Sequence, residues 1–170
     1  ENVDPKQSYV FVANHQSALD VFAVYGWLPN NFKWMMKKEL RKIPFVGTAC
    51  AVAGHIFVDR SNPRAALQSV ELVKKELVDG ISTVIFPEGT RSKNGNNMLE
   101  FKGGSFKAAT KARCPIVPVA VIDSYKAFDT NSIKPVNVKI IFLPPIPYDV
   151  YKDMKTTEIA QEVRNQIETT

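Results

Sequence analysis

Short apolar runs, rich in β-branched and aromatic residues, recur along the chain and alternate with segments of helical periodicity. Such runs are typical of buried strands. They occupy residues 9–13, 32–36, 81–86, 115–122 and 136–143, and residues 54–60 are predicted to form a turn and a strand that ends in charge. The segments at residues 62–80 and 157–167 carry apolar residues every three or four positions, as amphipathic helices do. The alternation predicts an α/β fold with a mixed, substantially parallel sheet flanked by helices.

Polar residues collect where several of the predicted strands end. These residues are His15, Lys37, Arg60, Glu88, Gly89, Thr90 and Arg91. Ligands of parallel sheets bind beyond the carboxyl ends of the strands. The sequence therefore predicts one shared site at this edge of the sheet.

His15 and Asp20 lie at the junction between the first predicted strand and the helix that follows it. Ser17 and Asp20 have the spacing of a helix-capping pair, which predicts a helix that starts near Ser17 with Asp20 in its first turn. On one continuous helix, residues five apart would point about 140° from each other. The break between strand and helix lets the two side chains meet, as general base catalysis requires of an imidazole and its orienting carboxylate.

Each of these residues also has a plainer interpretation. Asp20 could serve only as a helix cap, and Arg60 could form a weak surface pair with its neighbour Asp59. Lys37 is compatible with a solvated face, and Thr90 with an ordinary turn. Taken singly, the residues leave these alternatives open.

Composition limits the classes of function. The 170 residues, with a mass of 19.0 kDa, predict a single domain over residues 1–170, and 45% hydrophobic residues exclude a disordered chain. The net charge of +5 favours an anionic partner: a phosphorylated substrate, an anionic lipid surface or a nucleic acid. Acidic residues are interspersed with the basic ones, which disfavours nucleic acid.

The sequence lacks the residues that several other kinds of catalysis require. Two histidines and two cysteines without clustered carboxylates predict no metal site, and the same cysteine usage fits a reducing, cytoplasmic setting. No Gly-x-Ser-x-Gly sequence occurs, and neither Cys50 nor Cys114 has an activating neighbour, so direct attack on the substrate is expected. The longest uncharged run, residues 43–58, falls short of the roughly 18 residues of a membrane span.

Four sequence blocks occur in an informative order. They are residues 14–20, with a histidine followed by four residues and an aspartate; residues 54–60; the Phe-Pro-Glu-Gly-Thr-Arg-Ser run at 86–92; and residues 117–119. Together they resemble the motifs of the glycerolipid (lysophosphatidic acid) acyltransferase family. With residues 37–44 and 101–106, the resemblance covers most of a motif-bearing core at residues 8–122.

The resemblance implies a glycerol-phosphate acyltransferase-like fold. It implies the transfer of a fatty acyl group from acyl-coenzyme A or acyl carrier protein to the free hydroxyl of 1-acyl-glycerol 3-phosphate, giving phosphatidic acid. His15 would be the general base and Asp20 its orienting partner. The residues implied at the acceptor site are Lys37, Arg60, Glu88, Gly89, Thr90 and Arg91, with Glu88 holding an arginine or a substrate hydroxyl. The thioester is a co-substrate, and no bound cofactor or metal is implied.

The resemblance also implies a place at the cytoplasmic face of a membrane, peripheral or anchored by a segment absent from these 170 residues. Residues 21–28 are apolar on nearly every side, which favours either deep burial or contact with lipid. Two further functions stay open: acyl transfer to another lysolipid or to glycerol 3-phosphate, and an inactive lipid-binding module on a membrane surface.

Overall fold

Five parallel strands and one antiparallel strand form a single sheet in the computed structural model, which describes residues 3–28, 31–59, 61–127 and 135–170. The strands are β1 (Val10–Ala13), β2 (Phe32–Lys37), β3 (Ile56–Val58), β4 (Ser82–Ile85), β5 (Ile116–Ile122) and β6 (Lys139–Phe142). Their order across the sheet is β3-β2-β4-β1-β5-β6. Only β6 runs antiparallel, against β5. The predicted mixed and substantially parallel sheet is confirmed.

Helices connect the strands. They are α1 (Asp20–Trp27), α2 (Val46–Val52), α3 (Pro63–Val78), α4 (Lys107–Ala112), α5 (Tyr148–Tyr151) and α6 (Thr156–Glu168). A 3-10 helix at Lys38–Lys42 precedes α2, and another at Gly103–Phe106 precedes α4. Both helices predicted from apolar periodicity are present, as α3 and α6.

The central strand β1 pairs with β4 on one side and β5 on the other, and both of its faces are buried by packed side chains. Its side chains alternate between two apolar clusters. Val10 and Val12 pack in the cluster that contains the buried residues of α3, α4 and α6. Phe11 and Ala13 pack in the cluster that contains Val24 of α1. Burial on both faces explains why the sequence shows an unbroken apolar run here.

The parallel arrangement brings the carboxyl ends of β2, β4 and β1 side by side, because these strands are neighbours in that order. The register pairs Trp34 of β2 with Val84 of β4, and Val12 of β1 with Ile85 of β4. The loops that follow these three strands therefore leave the same edge of the sheet. Lys37, residues 86–92 and His15 lie on those segments.

Asn62 begins α3, the longest helix of the described chain. Its side-chain oxygen accepts hydrogen bonds from the backbone N–H groups of Arg64 and Ala65, and Pro63 occupies the first helical position. Replacing Asn62 with Ala should lower the free energy of unfolding by about 1 kcal/mol, because two N–H groups lose their acceptor. Asn62→Asp keeps an acceptor and should keep the stability. Equal urea midpoints for all three proteins would contradict this role of the cap.

Candidate active site

His15 and Asp20 meet directly. The imidazole Nδ1 lies 2.8 Å from Oδ2 of Asp20, and the carboxylate is fully buried while the imidazole is 18% exposed. The same Oδ2 accepts hydrogen bonds from the backbone N–H groups of Gln16 at 2.6 Å and Ser17 at 2.9 Å. The predicted contact is present, and one carboxylate oxygen organises both the ring and its loop.

The start of α1 differs from the sequence prediction. The helix begins at Asp20, three residues after Ser17, so the predicted start near Ser17 is wrong, while the position of Asp20 in the first turn is confirmed. The Ser17 hydroxyl accepts from the N–H of Leu19, and the Asp20 carboxylate reaches back to the N–H of Ser17. Because Asp20 binds two N–H groups of the preceding loop, residues 16 and 17 stay outside the helix.

The contact with Asp20 fixes the tautomer of His15. An ionised carboxylate only accepts hydrogen bonds, so in the neutral ring Nδ1 carries the hydrogen and Nε2 keeps a lone pair. The ring stacks on Phe86, with 4.1 Å between centroids and 15° between planes. Phe86 in turn stacks on Trp34 at 5.4 Å. The arrangement presents Nε2 as a proton acceptor on a ring of fixed orientation.

Glu88 supports the backbone of the same loop. Its Oε1 accepts from the N–H of His15 at 2.9 Å, and its Oε2 accepts from the N–H of Leu99 at 3.3 Å. Burial is the main cause of a raised pKa for this carboxyl, and Asp20 adds to the rise. The sequence predicted Glu88 beside an arginine or a substrate hydroxyl. The structure places it 2% exposed, with both oxygens engaged by backbone.

Two further residues that sequence reasoning missed hold the loop. The side-chain amide of Asn14 donates to the carbonyl of Val121 and accepts from its N–H, at 2.8 and 2.7 Å. The N–H of Ser92 donates to the carbonyl of His15 at 2.8 Å. Both residues stand in sequence blocks that also contain predicted site residues, which was the signal available.

The remaining predicted residues lie at the exposed edge. Gly89 has a φ of +78°, a conformation that favours glycine, and Thr90 and Arg91 follow it on the surface. Lys37 is the last residue of β2 and is exposed. Within the described ranges, neither Lys37 nor Arg91 forms an ion pair.

Arg60 lies outside the described residues. Its neighbour Asp59 is described: Oδ2 of Asp59 accepts from Lys38 at 2.6 Å, and Oδ1 accepts from Ser61. These bonds hold the pKa of Asp59 at about 2. Asp59 therefore has partners other than the surface pair with Arg60 that the sequence left open.

A cavity of about 430 Å³ opens beside Phe86. Its walls come from α3, β2, β3 and β4 and are mainly apolar, with Met35, Val58, Val70 and Ile85 among them. Lys102 and Lys107 are the charged residues of the lining. The cavity thus combines an apolar interior with cationic groups. Phe86, which lines it, also stacks on the imidazole of His15.

Other features of the described residues bear on the chemistry. His55 accepts from the N–H of Trp34 through Nδ1, and burial lowers the pKa of its imidazole. Cys114 is buried, and burial raises the pKa of its thiol to about 11. Over the described ranges there is no group of three or more potential metal ligands, and no helix is long and apolar enough to cross a membrane.

The fold and the site together define an α/β protein with a paired histidine and aspartate at the carboxyl edge of its sheet. The acyltransferase family matches residues 1–122, so this chain belongs to the acyltransferase family. The solved structure of the 1-acyl-sn-glycerophosphate acyltransferase PlsC from Thermotoga maritima superimposes with a TM-score of 0.79 and 26% sequence identity. The matched region covers 99% of this chain and 68% of the Thermotoga maritima chain.

Curated relatives include two named 1-acyl-sn-glycerol-3-phosphate acyltransferase. The protein from Cocos nucifera is 33% identical over 157 residues, or 91% of this chain and 51% of the relative. The alpha form from Ovis aries is 36% identical over 167 residues, or 96% of this chain and 58% of the relative. The chain therefore spans about half the length of the curated relatives it matches.

Replacing Glu88 with Gln should destabilise the protein by about 1 to 3 kcal/mol, because the new NH₂ group would face a half-buried backbone N–H. The pH dependence supplies a second test. The raised pKa of Glu88 means that its stabilising contribution is complete below the ordinary value of 4.5 and is lost as pH rises through the folded-state pKa. The variant should lack that part of the slope in chemical unfolding. An unchanged slope would assign the pH dependence to other groups.

Proposed function

We propose that the protein transfers a fatty acyl group from acyl-coenzyme A or acyl carrier protein to the free hydroxyl of 1-acyl-glycerol 3-phosphate, producing phosphatidic acid. The observation that carries the proposal is the contact between His15 and the buried carboxylate of Asp20. The activity for which the relatives are named supports the same reaction.

In the proposed reaction, Nε2 of His15 removes the proton of the acceptor hydroxyl. The oxygen attacks the thioester carbonyl, forming a tetrahedral oxyanion. As the intermediate collapses, the C–S bond breaks and the imidazolium returns the proton to the departing thiolate. Asp20 stabilises the imidazolium, which is the charged state of the base during this cycle.

Direct attack fits the surroundings better than an acyl-enzyme. Cys114 is buried, and its thiol donates to the carbonyl of Ser8 at 3.1 Å. With its pKa raised to about 11, the thiol stays protonated near neutral pH. The thioester, the hydroxyl and the histidine suffice for the chemistry, so we propose neither a bound cofactor nor a metal.

For the acceptor, we propose that Arg91 and Lys37 hold the phosphate, with Arg60 added by the resemblance. Arg91 and Lys37 carry cationic groups at the edge where His15 lies: Lys37 ends β2, and Arg91 lies on the loop after the neighbouring strand β4. An arginine fork donates two coplanar hydrogen bonds to a phosphate, and a lysine contributes a point charge. Gly89 and Thr90 form the turn that presents Arg91.

For the donor, we propose that the cavity beside Phe86 binds the fatty acyl chain of the thioester. Its aliphatic walls suit methylene groups, and each buried methylene contributes about 0.8 kcal/mol. Lys102 and Lys107 suit the anionic part of an amphiphile. A lipid acceptor also implies work at a membrane surface, which we propose to be the cytoplasmic face.

His15→Ala should lower thioester turnover by a factor of about 10² or more, the usual effect of losing a general base. Asp20→Asn is the matched probe, since the amide oxygen can still accept from Gln16 and Ser17 while the charge is lost. Both rates are measured by the release of free thiol, with thermal melting as the control for folding. Near-normal turnover by folded His15→Ala would refute the base assignment.

Arg91→Ala tests the acceptor. The intact protein should acylate 1-acyl-glycerol 3-phosphate at least about 10² times more efficiently than the same lipid without phosphate, because charged hydrogen bonds contribute roughly 1.5 to 3 kcal/mol each. The variant should lose most of that preference. Equal rates on both acceptors by the intact protein would leave an acyltransferase without a phosphate site. Absence of turnover with any glycerolipid would favour the inactive lipid-binding module.

A further inference from the structure

The two faces of the sheet are covered by helices of different character. One face carries α3 and α6, whose buried stripes include Val73 and Val163 and whose outer surfaces carry charged residues. The other face carries α1, which buries Val24 in the second cluster. Neither α1 after Asp20 nor α2 contains a charged residue. Helices without outward charge do not match a surface that faces only water.

The segment at 38–52 lies on the same face as α1. Ile56 and Val58 point into the cluster of α3, so strand alternation turns Phe57 between them to the opposite face. The guanidinium of Arg41 lies 5.8 Å from the centroid of the Phe57 ring. The 3-10 helix at Lys38–Lys42 therefore covers β3 on the face of α1.

This face exposes large apolar side chains, which we call the α1–α2 surface. Its members are Phe22, Tyr25, Trp27, Phe45, Val46 and Val52. Phe45 is 90% exposed and Trp27 is 74% exposed. Gly47 is the buried residue of α2, so the apolar side chains of this helix lie outside the core. Exposed apolar patches of this kind mark interaction sites.

Phe45 stands at the tip of a rigid and strained turn. Its φ and ψ are +62° and −52°, and the N–H of Val46 donates to the carbonyl of Pro44 at 2.7 Å, which is the bond of a γ-turn with positive φ. A Cβ at Gly47 would lie 2.1 Å from the carbonyl oxygen of Arg41, so the two backbones are in direct contact. The turn thus holds an aromatic ring outward at a conformational cost.

Cationic residues adjoin this tip. Arg41 and Lys42 precede the tip, and Lys38, which lies one turn earlier, pairs with Asp59. Aromatic rings at a surface, with lysine and arginine beside them, match the chemistry of the boundary between lipid headgroups and acyl chains. The charge pattern selects an anionic bilayer over a neutral apolar partner.

We propose that the α1–α2 surface docks on an anionic phospholipid bilayer, with Phe45 inserted at the level of the headgroups and the adjoining cations on the lipid phosphates. The docking rests on the proposed function only in that the acceptor would be a membrane lipid. The segment leaves β2 at the edge that carries His15, so the docked surface adjoins the mouth of the site.

Vesicles of phosphatidylcholine and phosphatidylglycerol in equal parts, free of lysolipid and thioester, test the docking. Phe45→Gly should weaken cosedimentation about tenfold or more, because it removes a ring that would leave water. Its melting temperature should stay equal or rise, because glycine relieves the positive φ. Val78→Ser, at a 69% exposed position on the helix of the other face, should bind as the unmodified chain does.

Charge and fluorescence give independent readings. Lys42→Gln should weaken binding roughly fivefold, and vesicles of phosphatidylcholine alone should bind poorly. A Trp34→Phe variant removes the buried tryptophan and leaves Trp27 as the only one in the sequence, and its emission should shift to the blue on docking. His15→Ala should dock normally. Turnover without docking would overturn this inference alone, and docking without turnover would overturn the enzyme alone.

Three results would overturn the proposal: equal binding by Phe45→Gly and the unmodified chain, an unshifted Trp27 emission, or a lipid-free dimer that Phe45→Gly abolishes. The last result would assign the surface to a second copy of the chain. Sedimentation velocity over a range of protein concentrations detects it.

Discussion

One buried oxygen, Oδ2 of Asp20, is the acceptor on which the site depends. It binds the imidazole of His15 and the N–H groups of Gln16 and Ser17. Because the three donors share this one oxygen, a change that moves it breaks all three bonds. Each buried donor left without its acceptor would cost about 1 to 3 kcal/mol. The same oxygen therefore sets both the path of the loop and the orientation of the imidazole. A local change that frees the ring also frees the backbone beside it.

A second carboxylate, that of Glu88, adds to the electrostatics of the site. Glu88 is buried, and Asp20 near it raises its pKa further, whereas a charged His15 lowers it. Two carboxylates thus lie beside the ring on which positive charge would develop if His15 acts as the proposed base. Preorganised charge of this kind stabilises a transition state without rearranging at the moment of reaction.

The sequence predicted much of this site because its strongest signals are local. The strand before His15, the short distance to Asp20 and the glycine of the turn at Gly89 can all be deduced from neighbouring residues. The bond between Glu88 and the N–H of His15 joins residues 73 apart in the chain, and it exists only because β1 and β4 pair in parallel register. The stack of His15 on Phe86 depends on the same pairing. Periodicity carries no information on register between strands distant in sequence.

The start of α1 shows a different limit. Capping rules predict that the Ser17 side chain accepts from the first free N–H groups of the helix. Instead, the Asp20 carboxylate accepts from the N–H groups of Gln16 and Ser17 in the preceding loop, through the oxygen that also contacts His15. A functional hydrogen bond has displaced the ordinary cap, and a spacing rule alone does not distinguish the two uses of one carboxylate.

The apolar stretch at 21–28 left burial and lipid contact open because its composition is nearly the same on all sides. The structure divides it: Val24 is buried in the core, while Phe22, Tyr25 and Trp27 face outward. Phe45 gives the energetic reason to connect that surface with lipid. Its positive φ costs on the order of 1 to 3 kcal/mol in the free protein. Transfer of its ring out of water would return about 1.5 to 3 kcal/mol. The strain and the gain are of the same size, so insertion of the ring into a nonaqueous phase would offset the conformational cost of the turn.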